Sequence, residues 1–171
     1  AAIEEYKKVS TRYEFLLHQK EDLEKAEATL FEIMDELDQV MKDEFLKTFN
    51  EIKEEFKVVF SKMFHGGSAD LKLTNPDDLL TTVIEIIESP PGKKLSTIQL
   101  LSGGEKTLTA ISLLFAILNI RKLPFCIFDE VEAALDEANV SQFGKYLEHY
   151  KNKTQFLIIT HKKKTMEYAD T

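Results

Sequence analysis

The sequence has 171 residues, which is the length of one domain, or of one compact domain with an extended element attached. Hydrophobic residues make up 43% of it and include 12 phenylalanines, so the chain can bury a sizeable core. Acidic residues outnumber basic ones by 30 to 22, for a formal charge of −8. This balance argues against a nucleic-acid footprint spread over the whole chain, so any DNA contact must be local or supplied elsewhere.

The first 65 residues are predicted to form one long helix, because this stretch contains neither glycine nor proline. It is also the acidic part of the chain, with 16 acidic residues against 10 basic ones. Its heptad column, in which every seventh residue is apolar, consists of Val9, Leu16, Leu23, Leu30 and Leu37. This pattern favours a coiled-coil arm, and the alternative is an amphipathic helix that lies on a globular core.

Beyond Met41 the apolar residues are bulkier and recur at spacings of three and four, as in a helix that buries one face in a domain. They are Phe45, Phe49, Ile52, Phe56, Val59, Phe60, Met63 and Phe64. Gly66 and Gly67 are predicted to end the helix, because glycine adopts the left-handed cap conformation without steric cost. We therefore divide the chain into an arm segment at 1–44 and a globular lobe at 45–171.

Two neighbouring strands are predicted after this helix. From residue 68 apolar residues alternate with polar ones, which indicates a half-buried strand, and the stretch from Asn75 to Asp78 indicates a turn. The β-rich run from Leu79 to Glu88 predicts the second strand, which a Pro-Pro-Gly sequence closes.

The remainder is predicted to be a helix at 103–120 followed by a βαβ unit. The runs at 124–128 and 155–160 are short, β-rich and almost wholly apolar, as strands covered on both faces are. A helical stretch near 137–152 joins them, as in a parallel sheet. The fold class is therefore α/β, with a parallel sheet and flanking helices, preceded by the long helix.

The stretch from Ser102 to Glu105 lies where the helix at 103–120 begins. Ser102 is placed to cap this helix and Glu105 to complete a capping box, so a well-capped helix without a ligand is one explanation. Gly103 and Gly104 lower the helix propensity of the first turn, however, and let a phosphate approach the backbone N–H groups at the positive end of the helix dipole. These residues alone leave both explanations open.

Three polar residues follow the two apolar strands at their carboxyl ends, where ligands bind in parallel sheets. Asp129 could hold Mg²⁺ through water, and Glu130 could orient and deprotonate an attacking water. His161 shares this edge, so a contact to a terminal phosphate is geometrically possible. The alternatives are a solvated acidic loop and a histidine without a functional partner.

A phosphate-binding loop of the Gly-x-x-x-x-Gly-Lys-Ser/Thr type does not occur in the sequence. The nearest approach, Gly92-Lys93-Lys94, has Ile87 where the first glycine should stand and Lys94 in place of serine or threonine. We interpret it as a turn.

Taken together, these motifs resemble the C-terminal ATPase lobe of bacterial SMC proteins, the structural-maintenance-of-chromosomes family of ABC-type ATPases. The resemblance rests on LSGGEK at 101–106, FCIFDEVEAALDEANV at 125–140 and Thr160-His161, and it includes GGSADLKLTNPDDLLTT and PPGKK, so that it covers about residues 60–170. The preceding helix looks like the descending end of the family's coiled-coil arm.

The resemblance implies ATP and Mg²⁺ as cofactors, in a site shared between two heads. The residues it implies for ATP binding across the dimer interface are Ser102, Gly103, Gly104 and Glu105. Asp129 would assist Mg²⁺, Glu130 would activate water and His161 would be the switch histidine. Asp136 would lie in the loop that crosses between heads, a role that spacing alone does not single out.

The same resemblance implies four partners: the N-terminal lobe that carries the phosphate loop, a second head in a homodimer, a kleisin subunit and DNA. It implies a role in chromosome condensation and segregation. The chain starts partway down an arm and stops at Thr171, before the closing strands, so we expect a fragment that alone neither binds ATP tightly nor hydrolyses it.

We expect a cytoplasmic, nucleoid-associated protein without a membrane partner. No apolar stretch approaches the roughly 20 residues that span a bilayer, and the lone Cys126 rules out an internal disulfide. Three alternatives remain: a related repair ATPase with coiled-coil arms, a transporter nucleotide-binding domain, which the acidic helix disfavours, and an ATP-gated clamp without turnover, which Glu130 disfavours.

Overall fold

The structure is a computed structural model that describes residues 2–79 and 81–170. Its elements in chain order are α1 (Ala2–Met63), β1 (Ser68–Leu73), β2 (Ile84–Ser89), β3 (Ser96–Thr97), a 3-10 turn (Ile98–Leu100), α2 (Gly103–Ile120), β4 (Phe125–Asp129), α3 (Glu137–Tyr150), β5 (Gln155–Ile159) and α4 (Lys163–Met166). The chain divides into two compact units, Ala1–Leu46 and Lys47–Thr171.

The first unit consists of the beginning of α1. Its heptad column is exposed to solvent, with exposed fractions between 49% for Leu16 and 71% for Leu23. Tyr6, Tyr13 and Met34, which each stand three residues before a member of this column, are also more than half exposed. The predicted helix is confirmed, and its apolar column is free to contact another helix.

The end of α1 belongs to the second unit, and five of its side chains are buried there, namely Phe49, Phe56, Val59, Phe60 and Met63. The predicted change from a sevenfold to a three-and-four spacing is therefore confirmed, although Phe45, Ile52 and Phe64 are only half-buried. These side chains form the core together with Phe115 of α2 and Phe143 of α3, both fully buried.

The cap of α1 differs from the prediction by one residue. His65 and not a glycine takes the first left-handed position, with φ of 55°. The Gly66 N–H donates to the Ser61 carbonyl at 2.8 Å and the His65 N–H to the Lys62 carbonyl at 3.4 Å. This pair of bonds is a Schellman motif, in which the left-handed residue is most often glycine.

Strands β1, β2 and β3 form an antiparallel sheet in that order. The predicted second strand was too long at its start, since β2 begins only at Ile84, opposite Leu73. Thr74 explains the difference, because its hydroxyl accepts from the Val83 N–H at 3.0 Å and its own N–H donates to the Val83 carbonyl at 2.9 Å. These bonds close a loop over 75–82, in which Leu80 lies outside the described residues.

Strands β4 and β5 form a parallel pair in which Phe125 is opposite Gln155 and Asp129 is opposite Ile159. With α3 between them they confirm the predicted βαβ unit. One face of the pair is packed, since Phe128 contacts Phe143 of α3.

The prediction that both faces of this pair are covered was wrong for the described residues. The side chains of Phe125, Ile127, Leu157 and Ile159 alternate onto the other face and are exposed by 57%, 60%, 49% and 55%. We call these four side chains the bare sheet face. Separately, none of the helices in the described ranges has an apolar stretch that could cross a membrane.

Candidate functional site

Helix α2 begins with the predicted capping box. The Glu105 N–H donates to the Ser102 hydroxyl at 3.4 Å, and the Ser102 N–H donates to the Glu105 Oε2 at 3.1 Å. The Ser102 hydroxyl also lies 2.7 Å from the same carboxylate oxygen. Ser102 and Glu105 therefore satisfy each other, and the free N–H groups at the start of α2 include those of the two glycines between them.

Lys93, which we interpreted from the sequence as part of a turn, contacts this cap. The Lys93 ammonium lies 2.6 Å from the Glu105 Oε1. Its hydrogen bond, followed by those from Ser102, holds the pKa of the Glu105 carboxyl below its ordinary value. The negative charge at the helix start is thus compensated, which leaves the helix dipole available to an anion.

The two glycines of the first turn have different surroundings. A Cβ at Gly103 would lie within 4 Å of no atom outside its own helix turn, whereas a Cβ at Gly104 would lie 3.2 Å from the Ala134 carbonyl oxygen. Gly104 thus has a packing reason, because it lets α2 approach the turn that follows β4. Gly103 has none, so a role in the fold does not explain the helix propensity lost there.

The carboxyl edge of the parallel pair brings Asp129, Glu130 and His161 together as predicted. The Glu130 N–H donates to the Ile159 carbonyl at 2.9 Å, which extends the strand ladder by one bond. The His161 Nε2 lies 2.9 Å from the Glu130 Oε1, and both side chains are open to solvent, with 88% and 47% exposed. A carboxylate and an imidazole are therefore paired where a ligand can reach them.

Glu130 has a left-handed backbone, with φ of 49°. This conformation costs a non-glycine residue about 1 kcal/mol. The strained turn redirects the chain directly after Asp129, at the residue whose side chain contacts His161.

Asp136 caps α3, and its Oδ1 accepts from the Asn139 N–H at 2.8 Å. The sequence signal was present, because an aspartate directly before a helical pattern is a preferred N-cap. The loop from Glu130 to Asp136 is thus fixed at one end by β4 and at the other by a helix cap.

Two buried glutamates escaped the sequence analysis. Glu88 is fully buried and its Oε2 accepts from the Thr109 hydroxyl at 2.5 Å, and burial raises the pKa of this carboxyl. Glu132 is fully buried as well and accepts from the hydroxyls of Thr160 and Thr165. Glu132 lies among acidic residues in the sequence and Glu88 follows the isoleucines of β2, so neither position indicated a buried carboxyl group.

The donor set limits what metal this chain can hold. Among the described residues no group of three or more His, Cys, Asp or Glu side chains could bind a metal ion together. Asp129 offers a single exposed carboxylate at the sheet edge. One carboxylate fits Mg²⁺, which retains water and takes phosphate oxygens as its other ligands.

Comparison with known proteins gives one consistent family. A family model described as RecF/RecN/SMC N terminal domain matches residues 5–171. Over 169 residues the chain is 55% identical to the chromosome partition protein Smc of Bacillus subtilis (strain 168). The aligned region covers 99% of this chain and 14% of that protein. The chain therefore spans about a seventh of the length of the curated relatives it matches.

Solved structures agree with this similarity. The Smc head domain of Pyrococcus furiosus with an extended coiled coil, bound to the C-terminal domain of ScpA, has a TM-score of 0.77 and 38% identity, over 95% of this chain and 41% of that one. A structure from work on ATP-driven dimerization and DNA stimulated activation of SMC ATPases has a TM-score of 0.69 and 39% identity, over 75% of this chain and 78% of that one.

Proposed function

Because the chain belongs to the RecF/RecN/SMC family, we propose that it is the C-terminal ATPase lobe of an SMC head, joined to the descending end of a coiled-coil arm. The arm segment is 1–44 and the lobe 45–171. In the complete protein this lobe takes part in ATP binding and hydrolysis that drive chromosome condensation and segregation, in the cytoplasm and on the nucleoid.

The assignment to the C-terminal lobe is supported by what the sequence contains and what it lacks. No Gly-x-x-x-x-Gly-Lys-Ser/Thr loop occurs in the 171 residues, so an N-terminal lobe has to supply it. The bare sheet face supports this partnership, because parallel strands are normally covered on both faces. We propose that the N-terminal lobe docks there.

The start of α2 binds the γ-phosphate of ATP held by a second, identical head. The Gly103 N–H and the positive end of the helix dipole favour the anion, and the missing side chain lets it approach the backbone. Ser102 contributes its hydroxyl, and the Lys93 contact neutralises Glu105 so that its carboxylate does not repel the phosphate.

Glu130 is the base that activates the attacking water, and the observation that carries this role is its contact with His161 at 2.9 Å. A carboxylate paired with an imidazole can accept the proton of a water while the histidine orients it against the terminal phosphate. Asp129 would hold Mg²⁺ through water. When bound, the ion supplies charge neutralisation at the phosphate oxygens.

The remaining partners follow from relatives. The Pyrococcus furiosus head is bound to a domain of ScpA, which supports a kleisin subunit as a partner of this lobe. ATP-driven dimerization and DNA stimulation, described for an SMC ATPase of similar fold, support a second head and DNA. Asp136 lies in the loop that crosses between the two heads.

The test is reconstitution from two separately made parts. The 171-residue chain is mixed with the N-terminal lobe of the same protein, and ATP turnover is measured against protein concentration. We expect no turnover from either part alone and a rate that grows with the square of the head concentration at low concentration, because each site needs two heads. Turnover by this chain alone would contradict the proposal.

A variant pair identifies the base in the same assay. Glu130→Gln should lose turnover by about 10²-fold or more while ATP-dependent dimers still form, because the amide retains the shape and cannot accept the proton. Glu148→Gln, an exposed change in the last turn of α3 and outside the site, is the matched control and should leave turnover unchanged. Normal hydrolysis by Glu130→Gln would remove this residue from the role.

A further inference from the structure

Glu132 is a fully buried carboxylate with an unusual set of partners. Its Oε1 accepts hydrogen bonds from the hydroxyls of Thr160 and Thr165, the latter at 2.8 Å. These two threonines stand on either side of His161 in the sequence, one directly after β5 and one in α4. A single oxygen atom thus holds both ends of the loop that carries the histidine.

The same loop is attached to the turn after β4 at further points. The Thr160 hydroxyl accepts from the Lys162 N–H at 3.0 Å, and the Lys162 ammonium donates to the Leu135 carbonyl. On the other side of Glu132, Glu130 is joined to β5 by its backbone N–H. Hydrogen bonds therefore join the turn at 130–135 to the loop at 160–165, and Glu132 lies between the two segments.

Stability alone gives a poor reason for a glutamate at this place. Its Oε2 is buried and has no hydrogen-bond partner in the part of the chain that the structure describes. An unpaired buried polar atom costs about 1–3 kcal/mol, and replacing Glu132 together with Thr160 and Thr165 by apolar side chains would avoid this cost. The two hydrogen bonds to the histidine loop are what such a replacement would lose.

We propose that Glu132 is a positioning residue for ATP hydrolysis, which fixes the loop of His161 against the turn of Glu130. This inference rests on the proposed function. Glu132 is buried and reaches neither the exposed start of α2 nor solvent, so it acts through the 2.9 Å contact between His161 and Glu130. Its loss should therefore slow the chemical step and leave ATP binding intact.

The experiment uses the full-length protein and two variants of one position. Glu132→Met has a similar size and no acceptor for the two hydroxyls, and we expect kcat to fall by about tenfold or more with KM within about twofold, because a misplaced catalytic group costs this much. Glu132→Gln retains an acceptor oxygen and should stay within about threefold of the unchanged protein. Equal kcat for Glu132→Met and the unchanged protein would overturn the inference.

A double-mutant cycle separates positioning from general destabilisation. If Glu132 acts through His161, Glu132→Met should reduce kcat little further in a His161→Ala background. Independent, additive losses would contradict the inference. Thr165→Val removes one of the two hydroxyl donors and leaves the Glu132 carboxylate in place. If Glu132→Met does not fold, this variant replaces it in the test, and we expect its kcat to fall as well.

The dependence of ATP turnover on single residues distinguishes failure of this inference from failure of the proposed function. A full-length protein without ATP turnover, or with turnover that survives Glu130→Gln, overturns the function and this inference with it. Turnover that depends on Glu130 and His161 but not on Glu132 overturns the inference alone.

Discussion

Gly103 is the residue at which the two explanations of the α2 start make different predictions. A helix that is merely well capped gains from a residue with higher helix propensity, whereas a phosphate site loses its open approach. Since nothing lies within 4 Å of a Cβ at Gly103, the substitution can be made without a clash.

Gly103→Ala should stabilise the 171-residue chain by about 0.5 kcal/mol, measured by urea unfolding, because alanine has less backbone entropy to lose. In the full-length protein the same variant should weaken ATP-dependent head dimerization, because under the proposed function the methyl group would obstruct the approach of the phosphate to the backbone. Gly104→Ala is the comparison and should destabilise the chain, since its Cβ would press on the Ala134 carbonyl at 3.2 Å. A Gly103→Ala protein that dimerizes normally would favour the capping explanation.

At this scale the sequence predicts contacts within a turn and misses those made across the fold. Ser102 and Glu105 are three residues apart, so a helix that starts between them brings them together. Lys93 and Glu105 are 12 residues apart, and Glu132 and Thr165 are 33 apart. Only the packing of separate elements makes such pairs, and their residue types are equally common on a solvated surface.

The elements themselves were easier to predict, because their periods are properties of the local chain. The change of spacing along α1 separated its exposed part from its buried end, and the apolar runs of β4 and β5 gave a parallel pair. The strand boundaries were harder to predict, because side chains can take the backbone hydrogen bonds that would otherwise extend a strand. The Thr74 hydroxyl replaced a ladder bond and shortened β2, and β3, with two residues, is too short to have a period.

The junction of α1 with β1 gives a prediction about a whole element. Gly67 has φ of 77°, and a Cβ there would lie 2.5 Å from the Ser89 carbonyl, which belongs to the strand opposite. Gly67→Ala should therefore cost more than about 2 kcal/mol of unfolding free energy, since it combines a backbone penalty with a clash.

Gly92→Ala is a matched control for that change. Gly92 has a similar φ of 79°, but no atom lies within 4 Å of its Cβ position. Its substitution should show the backbone penalty alone, about 1 kcal/mol in urea unfolding. Equal losses of unfolding free energy for the two variants would mean that the close approach of Gly67 to the Ser89 carbonyl does not constrain the fold.

For the molecule as a whole, exposed apolar surface distinguishes this chain from a self-contained domain. The heptad column of α1 and the bare sheet face are two separate apolar surfaces, one in each compact unit. Large exposed apolar patches generally mark interaction sites. The first suits another helix, because its residues recur every seven positions, and the second suits a layer packed flat on a sheet.

Ile127 lies on the bare sheet face and is 60% exposed, so Ile127→Asp should change the stability of this chain little. Docking of the N-terminal lobe would bury the new carboxylate against apolar atoms, and we expect the Kd between the two lobes to rise by about tenfold or more. Val83→Asp, in a loop and 63% exposed, is the control and should leave this Kd unchanged. Titration calorimetry of the two lobes measures both, and an unaltered Kd for Ile127→Asp would place the N-terminal lobe on another surface.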